Sequence, residues 1–335
     1  MSFADEALEA VEDMEANPTV ELIPIADLTM PEVVDNTQLS DYAKCPKMFY
    51  WARLQGLQPG AQSIHLHAGK AFAKAMEDFR VCYFGEGGTF DDAVAAGLYA
   101  IIRAYGEPTE AESDEYWIAS AKSWEGMACA YIHTVHNWDP RHDALKPVTD
   151  DKGKPTVECS FAIPLDVNNP STGLPYLFHG RYDLLASYGG SLFVEDDKTA
   201  SQLGASWSGQ WDLRSQFTGY CKGAKAFGVG VAGAIIRGTA ILKTKITHAE
   251  AIVYRPDFLI ERWEHDVHHI LLNMNQSFEQ QFWPTLGTFN EGCNAYGGCD
   301  YKQLCSSENP EAWLSNYHRN FWDPTNPDGE EVKND

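Results

Sequence analysis

Residues 178–200 read FHGRYDLLASYGGSLFVEDDKTA. Two mixed apolar-polar runs flank Gly189-Gly190, a dipeptide that readily supplies the positive φ angles of a two-residue hairpin turn. With those glycines as the turn, Asp183 lies opposite Asp196, their side chains about 5 Å apart by cross-strand geometry. Lys198 stands two residues further on and projects from the same face as Asp196. Two carboxylates and a lysine on one face can hold a hydrated divalent cation against a phosphate. The plain alternative is a solvated hairpin end carrying an Asp–Lys ion pair. Asp-x-Lys alone says little, because Asp150-Asp151-Lys152 repeats it in a Gly- and Pro-containing stretch. Position at the end of an apolar run, opposite an aspartate, is what sets 196–198 apart.

Outward from the hairpin, TVECSFAIPL from Thr156 reads as a preceding strand, and GAIIRGTAIL and EAIVYR as two following ones. Helices are expected near Thr37 or Ser40, over Gly69–Tyr83, over Asp212–Phe227 with Gly228 as C-cap, and over Asp257–Phe282. Residues 89–147 read as further helices. Strands interleaved with helices give an α/β class with an antiparallel component. No GxxxxGK[ST] sequence occurs, so the chain carries no phosphate-loop motor.

Aliphatic and aromatic residues make up 44% of 335 positions, enough for a substantial core. No apolar run approaches the roughly 20 residues of a membrane span. The acidic N-terminus lacks the basic-then-apolar order of a signal peptide, so a soluble cytoplasmic protein, with no membrane partner, is expected. A net charge of −23 opposes tight nonspecific binding to DNA. Its distribution softens that objection: residues 1–36 hold ten acids and no Lys or Arg, and residues 306–335 hold seven acids against Arg319 and Lys333. Both ends read as tails, the first disordered and the second polar.

GRYDLL, then VEDDKTA, then a helix with Gln216 and Tyr220 four residues apart, resembles the PD-(D/E)XK nuclease superfamily in its RecB-like branch, whose pattern is G-x-x-D, D-x-K-T, Q-x-x-x-Y. The resemblance spans roughly residues 37–305. It implies a restriction-endonuclease-like core, a central mixed sheet flanked by helices, with a helical insertion over about 84–147 and a C-terminal cysteine-cluster region. It further implies Mg²⁺ or Mn²⁺ on Asp183 and Asp196, with Asp197 adding its backbone carbonyl. Lys198 would orient the attacking water or stabilise developing charge, and Gln216 and Tyr220 would face the site or the DNA backbone.

One position departs from the branch. Many members place a histidine ligand on the first core helix, one turn after a glycine; here Gly69-Lys70-Ala71-Phe72 is followed by Ala73. Glu77 is the candidate for the missing ligand, with His65 and His67 as weaker ones; His179 shares the face of Asp183 in a regular strand and reads equally as a packed or a substrate-facing residue. Lys243 and Lys245 are the candidates for a DNA path.

Cys293, Cys299 and Cys305 follow a C-x5-C-x5-C spacing unlike the C-x2-4-C pairs of structural zinc sites. With the distant Cys45 they resemble the 4Fe-4S staple of some RecB-like nucleases, including CRISPR-associated adaptation nucleases and phage relatives, and four thiolates suit such a cluster. Zinc in the same thiolates is the lesser alternative. A metal-dependent deoxyribonuclease acting on DNA ends or single strands is the function implied, beside a recombinase, helicase or other nuclease-complex protein. The rival is a noncatalytic DNA-end-binding or assembly subunit that keeps the fold and cluster.

Overall fold

The computed structural model describes residues 20–60, 63–106, 120–150, 152–295 and 298–326. A seven-stranded mixed sheet forms its centre: β1 (Val33–Val34), β3 (Lys146–Pro147), β4 (Val157–Asn168), β5 (Pro175–Tyr188), β6 (Ser191–Ala200), β7 (Val231–Ile241) and β8 (Ile246–Tyr254). A separate pair joins β2 (Leu57–Pro59) to β9 (Tyr317–Arg319). The main helices are α1 (Asn36–Lys44), α2 (Ile64–Arg80), α3 (Phe90–Tyr105), α4 (Trp124–Asn137), α5 (Ser215–Ala226) and α6 (Asp257–Glu279). Among the described residues the other expected helices and strands form with shifted ends, whereas the region read as helical over 89–147 holds α3 and α4 but closes on β3, and its residues 107–119 lie outside the described ones. This is the α/β arrangement of a restriction-endonuclease-like core. None of the described helices is long and apolar enough to cross a membrane.

The hairpin turn is as expected. Gly189 and Gly190 have φ of 57° and 83°, which only glycine adopts without strain. Tyr188 pairs with Ser191, and the register runs unbroken to Leu184 opposite Glu195. There the ladder stops. β6 continues along β7 as far as Ala200, parallel to it, while the rest of β5 pairs with β4 on its other edge. The two hairpin strands therefore form a fork whose mouth begins at Asp183 and Asp196.

Opposite faces of β6 meet different helices, because successive side chains alternate. Glu195 and Asp197 meet Arg80 of α2, whereas Asp196 meets Gln216 of α5. Behind α2, a helical core packs Phe72, Phe79, Phe90, Ile101, Met127 and Tyr131. On the other side α5 lies close because it carries glycines: a Cβ at Gly223 would sit 2.4 Å from the Phe161 ring, and one at Gly219 2.7 Å from Phe178. That close approach brings Gln216 and Tyr220 down to the strand ends.

Both chain ends correct the sequence reading. Residues 20–36 are part of the fold: Leu28, Met30 and Val34 are buried, and β1 pairs with β5 at Leu177 and Phe178. The segment after Cys305 likewise buries Leu314 and Tyr317 and adds β9. Such anchors are few and their partners distant in sequence, so a local reading sees only polarity. The expected disorder of residues 1–19 and the last residues of the polar tail, 327–335, lie outside the described residues.

Candidate functional site

The fork opens into a cleft of about 470 Å³ lined by Asp183, Asp196, Lys198, Gln216, Tyr220 and His179, among others. Asp183 reaches across the mouth and accepts a hydrogen bond from the backbone N–H of Asp197 at 2.9 Å. That N–H points toward β5, and the carbonyl of a strand residue points to the same side as its N–H. The Asp197 carbonyl therefore faces the fork. Its carboxylate does not: it points away and pairs with Arg80.

Asp196 is buried, 3% exposed. One of its oxygens is ion-paired with Lys198, and the other accepts from Gln216 Nε2 at 3.4 Å. The same amide lies 2.9 Å from the Tyr220 hydroxyl. Gln216 thus links the aspartate to a tyrosine that belongs to the buried stripe. Burial pushes the Asp196 carboxyl up to about 7, against the opposing pull of Lys198. Burial alone would lower Lys198, yet the Asp196 and Asp183 charges outweigh it and hold the ammonium above its ordinary value.

A carboxyl raised to about 7 holds its proton below that pH, and an incoming cation must displace it. Mn²⁺ affinity measured by calorimetry should weaken by up to about tenfold per pH unit between pH 6.5 and 5, with proton release seen as a dependence on buffer ionisation heat. A flat profile across that window contradicts the assignment of Asp196 as a ligand.

Behind the cleft, Asp183, Glu195 and Asp197 place carboxylate oxygens within 4.8 Å of one another. That spacing could suit a metal, but a guanidinium already sits there. Arg80 lies 3.0 Å from Glu195, 3.4 Å from Glu158 and 3.6 Å from Asp183, and also pairs with Asp197. Its side chain is 5% exposed. Glu158 faces this cluster with φ of 50°, an uncommon backbone for a non-glycine residue. Burial, followed by the charge of Asp183, raises Glu158 to about 8. Sequence reasoning missed Arg80, Glu158 and Glu195. The available signal was Arg80 on the stripe of Phe72 and Met76, and Glu195 inside the apolar run of β6, two charges that can be buried only as partners.

The remaining candidates are placed as follows. Glu77 sits beside Lys74 at 2.8 Å and Arg181 at 3.8 Å and does not line the cleft. His65 is exposed at the start of α2, and His67 packs against Tyr105 with ring centroids 4.6 Å apart; neither reaches the cleft. His179 does, while Lys243 and Lys245 lie exposed in the turn between β7 and β8, away from it.

The four cysteines converge at one corner. A Cβ at Gly287 would lie 3.0 Å from Cys293 Sγ and 3.5 Å from Cys45 Cβ. Cys299 N–H donates to the Cys293 carbonyl at 3.0 Å, and Trp51 Nε1–H donates to Cys305 Sγ at 3.4 Å. Cys305 is raised by burial, then by the charges of Cys45 and Cys293; Cys299 is raised by burial, then by those of Cys305 and Cys293. Lys47, lowered by burial, is drawn back up by Cys305 and Cys45. The four cysteines thus lie close enough to feel one another's charge, but among the described residues the side chains gathered tightly enough for a single ion are acidic ones and not these thiols.

Residues 36–306 match the family described as the PD-(D/E)XK nuclease superfamily. The chain belongs to that superfamily. A solved structure from Eubacterium rectale, described as a candidate exonuclease, is similar over 83% of this chain and 90% of its own, at 13% identity and a TM-score of 0.47. The protein SSO0001 aligns over 80% and 88%, at 11% identity and a TM-score of 0.29. No curated protein matches. Membership rests on the family match and not on these low structural scores. As a PD-(D/E)XK protein, the chain is a nuclease by family.

Proposed function

We propose that this PD-(D/E)XK protein is a Mg²⁺- or Mn²⁺-dependent deoxyribonuclease acting on DNA ends or single strands, an exonuclease of recombination, repair or phage DNA processing. The fork carries the reading, because it gathers Asp183, Asp196, Lys198 and Gln216 at one open strand edge. Asp183, Asp196 and the Asp197 carbonyl would hold the cation. When bound, it would supply an acidified water and charge neutralisation at the phosphate. Lys198 Nζ would hold that water in line or stabilise charge on the phosphoryl oxygens. Gln216 would fix the Asp196 carboxylate, with Tyr220 fixing Gln216. The noncatalytic reading draws on Ala73, since no carboxylate or histidine of α2 enters the cleft.

Linear and covalently closed circular plasmids with Mn²⁺ test the exonuclease reading. Linear DNA should disappear and closed circles persist. Nicking of the circles at a similar rate would replace it with an endonuclease.

Cys45, Cys293, Cys299 and Cys305 would hold a 4Fe-4S cluster that ties the two ends of the nuclease core together as a structural staple, closing a loop of roughly 250 residues. An anaerobic preparation should be brown, with about four irons per chain. A colourless protein with one zinc per chain overturns the cluster.

A further inference from the structure

The cleft has a wall that the catalytic pattern does not explain. After β9 the chain is fastened along the N-terminal part of the fold: Arg319 Nη1 donates to the Gln55 carbonyl at 2.7 Å, and Asn320 N–H to the Gly56 carbonyl at 2.7 Å. Trp322 follows and lines the same cleft as Asp183, Asp196 and Lys198. Its indole N–H donates to Asp35 Oδ2 at 3.0 Å, and the other oxygen of Asp35 caps α1 through Gln38 N–H at 2.8 Å. The Arg53 guanidinium lies over the indole, 5.4 Å from the ring centroid. Arg53 is itself held by Asp41 at 2.6 Å. A large half-buried aromatic is thus clamped at the cleft wall.

The charges nearby are arranged unequally. Asp35 and Asp41 are committed to the contacts just described. Arg214 also lines the cleft, is exposed, and its side chain has no ion pair or hydrogen bond among the described residues. The cleft volume of about 470 Å³ lies in the small-ligand range and accommodates a nucleotide or two of a strand. Bases present a π-face for stacking whatever their sequence, and a cation beside the stack receives the backbone.

We infer that Trp322 is a stacking platform for an unpaired base next to the scissile phosphate, and that Arg214 binds a flanking phosphate. This rests on the nuclease reading of the cleft and assigns its substrate as a single-stranded DNA end.

The test is equilibrium binding of a fluorescein-labelled oligothymidylate, and of the same oligonucleotide with abasic sites, to the cluster-intact full chain in Ca²⁺. Trp322→Ala should weaken binding of the normal strand about ten- to hundredfold and leave the abasic strand within about threefold, while Trp322→Phe stays near wild type. Arg214→Ala should weaken both strands alike and lower the salt slope by about one. If Trp322→Ala binds the normal strand like wild type, or loses both strands equally, the stacking role is overturned. That result together with Mn²⁺-dependent cleavage by the wild type overturns the stacking role alone. Absence of any binding by the wild type overturns the substrate assignment and the reading beneath it.

Discussion

Lys198→Ala should lower Mn²⁺-dependent cleavage of single-stranded DNA by a factor on the order of 10² to 10³ while leaving Mn²⁺ binding in place. Lys198 is paired with Asp196 on the cleft face of β6, so it stands where water and phosphate would meet a cation on the two aspartates. Removing its ammonium removes a positive charge that the transition state needs. It also removes a competitor for the Asp196 carboxylate, so Mn²⁺ affinity at pH 8 should hold or tighten. Asp196→Asn removes a ligand and should lose both binding and cleavage. Calorimetry on both variants beside single-turnover cleavage separates the roles. Loss of metal binding in Lys198→Ala equal to that in Asp196→Asn would make the lysine structural.

Arg80→Met should destabilise the fold by about 3 to 5 kcal/mol, the usual cost of breaking a buried ion pair from one side. That corresponds to an apparent melting temperature lower by roughly 5 to 10 °C in a chain of this size. Four carboxylates converge on the guanidinium, and Glu195 is 1% exposed. Lysine cannot replace a planar fork that serves several acceptors, so Arg80→Lys should recover only part of the loss. The pH dependence has a definite sign. Glu158 and Glu195 are already raised by burial, and loss of Arg80 raises them further. The folded state then binds protons more tightly than the unfolded one. Stability falls as pH rises from the unfolded value near 4.5 toward the folded one, which for Glu158 is about 8 in the wild type. The deficit of Arg80→Met should therefore be smaller at pH 5 than at pH 8 by thermal melting. An equal deficit at both would show that lost packing, and not unbalanced charge, causes it.

Where the chemistry is local, the sequence was informative. Gly189-Gly190 sets the hairpin register as far as Leu184 opposite Glu195, and Asp183 and Asp196 then line one cleft just beyond the last pair. The i, i+4 spacing of Gln216 and Tyr220 puts both on one helix face, and close packing through Gly219 and Gly223 aims that face at the fork. What escaped depends on where distant segments end up. The fork exists because β5 joins β6 only from Leu184 onward, its earlier residues pairing with β4 and, at Leu177 and Phe178, with β1, which no alternation pattern records. Arg80 and Glu195 were visible as charges on buried faces, but their pairing crosses about 115 residues. Trp322 and β9 sit in a polar stretch whose partners lie near the opposite end of the chain. Glu77 was chosen by helical spacing, and the fold gives its carboxylate to Lys74 and Arg181 instead.

The central claim, that Asp183, Asp196 and Lys198 form a metal-dependent phosphodiesterase, is tested most directly by end-labelled single-stranded DNA. Wild-type protein and Asp196→Asn are incubated with it in Mn²⁺, Mg²⁺ or EDTA. Cleavage by the wild type in the divalent cations is expected, with none in EDTA and none by the variant. Intact DNA under all wild-type conditions, or equal cleavage by both proteins, would contradict it.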